Sequence, residues 1–500
     1  MLITLVIYFA LLMAISRLVG RDSNDAFFRG NRKSPWPVVA FGMIGASISG
    51  VTFVSVTGMV IASDMTYLQM CMGFIIGYLL VAFLLVPMYY RHNLTSIYTY
   101  LRERFGTHSH KTGAAFFLLS KLTGAAARMY IVCLILQQFI FSKWHVPFPV
   151  TVLCTLTLIW LYTRKSGIRT IVWTDTLQTL CLLTALVLLI INATTQLNLD
   201  TTEALSAVCN NPHSRIFEFS DWASPQHFWK QFLSGVFIVI VMTGLDQDMM
   251  QKNLTCKDKR SAQKDLCTYG MMFLPVNALF LSLGVLLTML YTQTATPLPS
   301  NGDQLLPDLI ASGTMGETAL ILFALGIISS SFSSADSAIT SLTTSYCIDI
   351  LGMSPDDQGE DSKANIRRRK TVHIVMTLLL AILIIAIHAI GSNSIIHLIY
   401  LMASYTYGPL LGLFAFGIFT RRTPVDRHTP LIAVACPLAC AIADITAKHY
   451  FGYTFGYELL MLNGMLTFAL LYASSLKNSM VLLRSCAMAP ALSRSPSRKG

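Results

Sequence analysis

The sequence predicts an all-α integral membrane protein with about thirteen transmembrane helices. Of its 500 residues, 54% are hydrophobic and 12% are charged, and the mean hydropathy is +0.59. A chain of this composition has too little polar surface to fold in water. Apolar runs of the roughly 20 residues that a bilayer requires recur along nearly the whole sequence, so no room remains for a soluble domain.

The predicted spans follow one another with short connections. Their approximate bounds are 2–20, 37–63, 66–90, 112–141, 148–163, 171–193, 227–250, 267–292, 316–347, 372–390, 395–419, 429–447 and 457–475. The first span has no basic segment before it, so it is predicted to be an uncleaved helix and not a signal peptide. Residues 194–226 form the longest outer loop, and residues 476–500 are predicted to be a basic cytoplasmic tail.

Basic residues predict the orientation, because Lys and Arg accumulate in cytoplasmic loops. Most of the 36 basic residues lie on one side if the N-terminus is outside and the C-terminus is cytoplasmic, and only Lys121 and Arg128 fall within predicted spans. The net charge of +11 is therefore a topology signal for a multi-pass protein of the cell membrane, and it implies no nucleic-acid partner. No obligate protein partner is indicated.

Catalytic and metal-binding motifs are missing from the sequence. The eleven cysteines show no CxxC or other metal-ligand spacing, and there is no HExxH, GxSxG or glycine-rich phosphate loop. The sequence therefore predicts neither an enzyme nor a bound cofactor.

Two spans carry signals of a broken helix. The second, "PVVAFGMIGASISGVTFVSVTGMV", is rich in glycine and hydroxyl residues, and the seventh contains "TGLDQDMMQ". These two spans run in opposite directions, five spans apart, as expected for inverted repeats whose discontinuous helices meet at a central substrate site. The alternative is that the glycines only permit close helix packing.

The ninth span carries a polar stripe and a buried acid. Its serines share one helical face and lie at Ser330, Ser333, Ser334, Ser337 and Ser341. Neutral hydroxyl and carbonyl oxygens suit a small cation, although a serine in a membrane helix more often bonds to the preceding turn. Asp336 lies among them, and Asp175 lies a few residues into the sixth span; acids inside a membrane usually mark an ion path or a buried pair.

These motifs together resemble the sodium:solute symporter family. The segments "GASISGVTF", "VWTDTLQ", "GLDQDMMQ" and "SSSFSSADSAIT" occur in this order on spans at the family's spacings. The resemblance implies inverted five-helix repeats at 37–193 and 227–419, with an extra N-terminal helix and loop at 1–36 and two further helices at 420–475. It also implies a sodium-coupled symporter, with Na⁺ as the coupling ion and a small organic solute as the partner.

The resemblance implies two sodium sites. The main site would use backbone carbonyls and hydroxyls of Gly45, Ile48, Ser330, Ser333 and Ser334. A second site, present in some members, would use Asp175, Ser333, Asp336 and Ser337. Asp336 stands where relatives carry a hydroxyl, so it either strengthens that site, makes it sensitive to protons, or pairs with Lys121 or Arg128.

The resemblance also suggests the substrate residues. They are Ser49, Thr52, Phe53, Gln69, Arg128, Asp246 and Gln247. A guanidinium within a span suits bidentate capture of a carboxylate, and sialic-acid members use an arginine on this helix, so an anionic solute is expected. As alternatives, Arg128 only neutralises Asp175 or Asp336, and the Lys121 side chain snorkels to the membrane interface. The solute could instead be a neutral sugar, and the protein could be a proton-coupled transporter or a channel.

Overall fold

The computed structural model describes residues 2–20, 22–141, 144–165, 167–222, 224–354, 360–390, 395–453, 455–456 and 458–487. These residues form helices and connections without a named strand, and an isolated bridge joins Ser34 to Cys256. Helices are the expected secondary structure of such a hydrophobic chain, because each backbone polar group in a bilayer needs a hydrogen-bond partner within the protein.

A helix forms at each of the predicted spans. They are α1 Leu2–Val19, α2 Trp36–Ser47 with Gly50–Ser63, α3 Tyr67–Arg91, α4 Thr107–Leu136, α5 Phe148–Thr163, α6 Ile168–Gln196, α7 Phe228–Gly244 with Gln247–Asn253, α8 Lys259–Gln293, α9 Gly316–Ile350, α10 Glu360–Ile390, α11 Ile395–Phe419, α12 Thr429–Phe451 and α13 Glu458–Ala487. Within the described residues, eight helices are long and apolar enough to cross a membrane, or up to 10 if each bent pair is one span. The predicted fold class is confirmed.

Short helices lie in the connections. They are Asn24–Arg29, Thr99–Arg104, Thr201–Cys209 and Leu305–Ala311. The helix at Thr201 begins with a capping box between Asp200 and Glu203, which satisfies its free N–H groups. At the other end of the chain, α13 continues to Ala487. The predicted tail at 476–500 therefore begins as helix, and residues 488–500 lie outside the described residues.

Both predicted breaks are present. The halves of α2, called α2a (Trp36–Ser47) and α2b (Gly50–Ser63), meet at an angle of 65°, and the halves of α7, called α7a (Phe228–Gly244) and α7b (Gln247–Asn253), meet at 71°. In α2 the chain is extended at Ile48 (φ −84°, ψ 95°) and Ser49 (φ −79°, ψ 167°). In α7 a wide π-type turn over Ile240–Gly244 precedes the break.

The contacts between helices stay the same in kind when each helix of α2–α6 is replaced by its counterpart in α7–α11. The contact of α2a with α8 corresponds to that of α7a with α3, and the contact of α6 with α9 corresponds to that of α11 with α4. This is the pattern that an inverted repeat requires. Helix α1 packs outside on α5 and α6, whereas α12 and α13 pack on α11. The domain boundaries themselves stay a prediction.

Candidate functional site

The break in α2 exposes backbone carbonyls at the centre of the protein. Ile48 N–H still donates to Ile44 O at 3.0 Å, but the following carbonyls have no further turn of α2a to bond. The second half starts afresh, because Ser49 Oγ accepts a hydrogen bond from Thr52 N–H at 3.4 Å. The local sequence thus leaves carbonyl oxygens at the end of α2a without intrahelical partners, next to the start of α2b.

Two glycines let α2a lie directly on α6. A Cβ at Gly42 would come within 3.0 Å of the Asp175 Cβ, and one at Gly45 would collide with Thr179 Oγ1. Gly45 N–H also donates to Thr179 Oγ1 at 3.0 Å. These glycines therefore serve close packing, as the alternative interpretation held, and this packing fixes the height of the broken segment against α6.

The serine stripe of α9 faces the break. Ser334 Oγ lies 3.2 Å from both Ala46 O and Ser330 O. Ser330 is fully buried, and its own hydroxyl bonds back to Ile327 O at 3.0 Å. Two carbonyls and a hydroxyl thus converge where the main sodium site is predicted. Ala46, the neighbour of the predicted ligands Gly45 and Ile48, is the α2 residue that Ser334 contacts.

Ser333 faces away from this cluster and towards Asp175. Its hydroxyl donates to Asp175 Oδ1 at 2.6 Å, while Asp175 Oδ2 lies 2.8 Å from the Nζ of Lys252. The side chains of Asp175 and Lys252 are each only 1% exposed. Asp175 is therefore part of a buried ion pair with Lys252, and not an interfacial acid.

Lys252 is a correction to the sequence analysis. Its position after the seventh span assigned it to a cytoplasmic loop, but it lies at the end of α7b with its side chain buried. Lys121 and Arg128 are thus not the only basic residues with side chains inside the protein. Arg369 on α10 is another, because it is fully buried although it was also assigned to a loop.

Asp336 occupies a separate position. Its Oδ2 accepts a hydrogen bond from the Tyr162 hydroxyl at 2.8 Å, and its Oδ1 accepts one from Ser337 Oγ at 3.2 Å. The four residues of the predicted second sodium site therefore divide into two pairs, and the expectation that Asp336 pairs with Lys121 or Arg128 is wrong.

A cavity of about 220 Å³ lies between α2, α3, α4, α7, α8, α9 and α11. Its polar lining includes Ser49, Thr52, Ser55, Lys121, Arg128, Thr243, Asp246, Asp248, Ser334 and Tyr407. Four of the predicted substrate residues are in this lining: Ser49, Thr52, Arg128 and Asp246. Ser334 also belongs to it, so the predicted sodium cluster and the cavity are continuous.

The acids at the α7 break are already bonded. Lys121 Nζ lies 2.6 Å from Asp248 Oδ2 and 3.4 Å from Asp246 Oδ2. Asp246 also accepts hydrogen bonds from the Tyr407 hydroxyl at 2.6 Å and from Asp248 N–H at 2.8 Å, the latter as the cap of α7b. Lys121 is 11% exposed, so it pairs inside the protein and does not snorkel to the interface.

Arg128 has a different environment. It lies seven residues after Lys121 on α4, hence on the same face, and it lines the cavity. Among the ion pairs of the described residues, none includes Arg128, so it does not neutralise Asp175 or Asp336. Ser55 Oγ, also in the lining, is buried without a hydrogen-bond partner. The cavity therefore offers a guanidinium and a hydroxyl to a ligand.

Three predicted substrate residues lie outside the cavity lining. Gln69 bonds to Glu218 N–H at 3.1 Å and to Gln226 O at 3.0 Å, which ties α3 to the outer loop. Gln247 bonds to Ile97 N–H at 2.9 Å and to Thr95 O at 3.0 Å. The third, Phe53, packs its ring against Phe280 and Phe323.

Comparison with known proteins identifies the family. The model of the sodium:solute symporter family matches residues 27–426. The chain belongs to the sodium:solute symporter family. Sodium-coupled solute import by a multi-pass membrane protein is therefore its class of function.

Individual transporters resemble all or part of the chain. The sodium/sialic acid symporter NanT of Aliivibrio fischeri (strain ATCC 700601 / ES114) is 26% identical over 477 residues, which cover 93% of this chain and 92% of NanT. The sodium/iodide cotransporter of Homo sapiens is 24% identical over 246 residues, 49% of this chain and 37% of that protein. A solved structure of a sodium-coupled sialic acid symporter in a substrate-bound outward-open state matches with a TM-score of 0.78 at 21% identity, covering 95% of this chain and 96% of that one. This last likeness shows the fold.

Proposed function

We propose that the protein imports a small organic carboxylate together with sodium, by alternating access, in a cell membrane where its N-terminus is outside and its C-terminus cytoplasmic. The observation that carries the proposal is Arg128, a cation in the wall of the central cavity that no carboxylate of the described residues pairs with. The concentration of Lys and Arg in alternate loops supports the orientation.

The sodium ion is proposed to bind at the α2 break. The Ser334 hydroxyl lies within hydrogen-bonding distance of the Ala46 and Ser330 carbonyls. A bound cation can take the place of the hydroxyl proton as the partner of both carbonyls, while the hydroxyl rotates and offers its oxygen to the cation. Gly45 and Ile48 carbonyls are proposed as further ligands, because the last turn of α2a leaves them without intrahelical partners. All these ligands are neutral, so the site attracts sodium without holding it by excess charge.

Several observations support an anionic solute. A guanidinium offers two parallel N–H donors that match a carboxylate. Asp246 already accepts from Lys121, Tyr407 and its own helix, so it has little capacity left for a sugar hydroxyl. The two relatives are named for sialic acid and iodide, and both solutes are anions. The cavity of about 220 Å³ is below the roughly 300–1,000 Å³ of drug-sized pockets, which favours a small acid.

Uptake into proteoliposomes tests the solute class. Sialic acids, short carboxylates, neutral sugars and amino acids are offered as labelled solutes with sodium or choline outside. For the carboxylate that is taken up, Arg128→Gln is expected to lower the apparent affinity about ten- to hundredfold, since a bidentate charged contact contributes about 1.5–3 kcal/mol, at about 1.4 kcal/mol per tenfold. The apparent affinity of Arg128→Lys is expected to lie between those of the wild type and Arg128→Gln, because lysine keeps the charge but lacks the two parallel N–H donors of the guanidinium.

The matched control for the arginine is Arg102→Gln, because Arg102 is exposed on the short helix Thr99–Arg104 and its removal changes the net charge equally. Uptake of a carboxylate that is indifferent to Arg128→Gln, or selective uptake of a neutral sugar, contradicts the anionic assignment. Saturable uptake distinguishes a transporter from a channel, and uptake driven by a proton gradient without sodium would contradict sodium coupling.

The sodium site is tested by Ser334→Ala, which removes a proposed ligand. The sodium concentration for half-maximal uptake is expected to rise about tenfold or more, and Ser334→Thr, which keeps the hydroxyl, is expected to restore it in part. Ser341→Ala is the matched control on the same helix, because the Ser341 hydroxyl donates to Ala338 O of its own helix at 3.0 Å. Unchanged sodium dependence in Ser334→Ala would remove this helix from the site.

A further inference from the structure

The cation next to Asp175 belongs to the protein itself. The Lys252 ammonium lies 2.8 Å from Asp175 Oδ2, and Ser333 Oγ occupies the other carboxylate oxygen at 2.6 Å. Asp175 and Ser333, two of the ligands expected for a second sodium ion, are therefore bonded to each other, and Asp175 is also paired with Lys252. Sequence reasoning did not consider this lysine as part of the site.

This ion pair is unusual in its burial. A lysine and an aspartate that are both 1% exposed lose nearly all of their hydration, and such a pair is often replaceable by apolar residues without loss of stability. Among the described residues, the Lys252 ammonium has no hydrogen-bond partner in addition to this pair. Asp248 and Asp336 also act on it electrostatically. The ammonium thus contacts one carboxylate and lies in the field of two more, an environment suited to a cation.

The pair also joins three elements of the transport core. Lys252 is on α7b, Asp175 is on α6 and Ser333 is on α9. Ser334, the residue after Ser333, contacts the α2 break at the proposed sodium site. A positive charge at Lys252 therefore links the same helices that a second coupling ion would link.

We propose that the Lys252 ammonium takes the place of a second coupling cation, so that the protein carries one sodium ion for each solute. This proposal rests on the proposed function. A sodium ion bound to Asp175 would lie within about 4 Å of the ammonium, and at an effective dielectric constant near 20 the repulsion weakens its binding roughly thousandfold. The tethered charge stays with the protein through the cycle, so it contributes nothing to the driving force.

The proposal predicts the charge that crosses the membrane. One sodium ion moving with a monocarboxylate carries no net charge, whereas two would carry one positive charge. Uptake of a monocarboxylate is therefore expected to be insensitive to an imposed membrane potential, and to be hyperbolic in sodium concentration.

Flux ratios in proteoliposomes test this directly in the unaltered protein. Labelled sodium and labelled solute are measured in the same vesicles, and a ratio of one is expected. A ratio of two with potential-driven uptake overturns the proposal while leaving sodium-coupled carboxylate transport intact. Uptake that does not depend on sodium at all contradicts the proposed function instead, so the two failures are distinguishable.

A second measurement uses sodium binding without transport. The melting temperature of the purified protein is followed against the logarithm of sodium concentration, with choline chloride holding ionic strength constant. Because each bound ion adds its own stabilisation, Lys252→Met is expected to give about twice the wild-type slope at saturating concentrations, as sodium enters beside Asp175. Lys252→Met/Asp175→Asn is expected to return to the single slope.

Two controls complete the design. Lys264→Met removes a cytoplasmic, exposed lysine of α8 and is expected to keep the wild-type slope, and Lys252→Arg keeps the charge and is expected to keep a flux ratio of one. A folded Lys252→Met protein with the wild-type sodium slope overturns the proposal. If Lys252→Met does not fold, the flux ratio of the unaltered protein still decides it.

Discussion

Gly45→Ala is a small change expected to act on sodium binding through packing alone. The residue offers its backbone carbonyl to the proposed sodium site, and alanine keeps that carbonyl. The added Cβ, however, would collide with Thr179 Oγ1 and lie 3.1 Å from the Thr179 Cα and Cβ. The methyl group therefore pushes α2a away from α6 and shifts the neighbouring Ala46 carbonyl relative to Ser334.

The magnitude follows from two contributions. Inserting a methyl group into a packed interface costs about 1–3 kcal/mol, and losing the hydrogen bond from Gly45 N–H to Thr179 Oγ1, which is 3.0 Å long, costs about 1 kcal/mol more. If about half of this cost falls on the sodium-bound state, at 1.4 kcal/mol per tenfold, the half-saturating sodium concentration rises about tenfold.

Sodium-dependent uptake and sodium-dependent thermal stabilisation measure this effect. Gly124→Ala is the control, because a Cβ there meets nothing nearer than an Arg128 nitrogen at 4.0 Å, and it is expected to leave sodium affinity unchanged. In Gly45→Ala/Thr179→Ala the collision with Oγ1 is gone, so sodium affinity is expected to recover to within about threefold of wild type. Wild-type sodium affinity in Gly45→Ala would refute the reasoning, as would a double variant worse than the sum of its singles.

Two further predictions concern charged groups. Lys121→Met leaves two poorly hydrated acids without their cation, so a loss of about 3–5 kcal/mol of stability is expected, and the additional change Asp248→Asn is expected to restore part of it; a melting temperature equal to wild type in Lys121→Met would contradict the pairing. In the loop after α1, burial raises the pKa of Asp22, but hydrogen bonds from Lys370 and Arg369 outweigh it and hold that pKa below 3.8. Because this stabilisation exists above the unfolded-state pKa and disappears as pH falls through the lower folded-state pKa, Asp22→Asn is expected to lower the melting temperature at pH 7, and this difference is expected to shrink progressively as the pH falls below 3.8; a difference that does not shrink with falling pH would show another cause.

The sequence predicts the fold well because the membrane imposes strict rules on it. Apolar runs mark helices, because the backbone must form its hydrogen bonds within the protein. The glycine and hydroxyl residues around Ile48 mark a break, because an uninterrupted apolar helix does not require such residues. The end of α7 shows the limit of this reasoning. Lys252 follows the apolar run by two residues, and a charged residue at a helix end normally reaches water, so hydropathy alone assigned it to a loop.

Partner choice within the site could not be predicted from the sequence. Asp175, Asp336, Lys121 and Arg128 were all recognised as costly charges inside spans, but pairing depends on helix rotation and on height in the membrane to within a few ångströms. The signal that helps is local: Asp246 directly before α7b is an N-cap residue type, which already predicts that part of its carboxylate is used by its own helix and not by a solute.

The two breaks differ in how many partners Asp246 and the Ala46 carbonyl have, and this difference supports the roles proposed for the breaks. At the α7 break, Asp246 has a lysine, a tyrosine and a helix start as partners, so it forms a network that holds α7b, α4 and α11 together. At the α2 break, Ser334 is the one side chain of the described residues that donates to the Ala46 carbonyl. A cation that enters here improves the bonding of the carbonyls, whereas a cation at the α7 break would compete with Lys121. These contacts support the proposal that the α2 break, and not the α7 break, binds sodium reversibly, while Asp246 and Asp248 at the α7 break line the same cavity as Arg128.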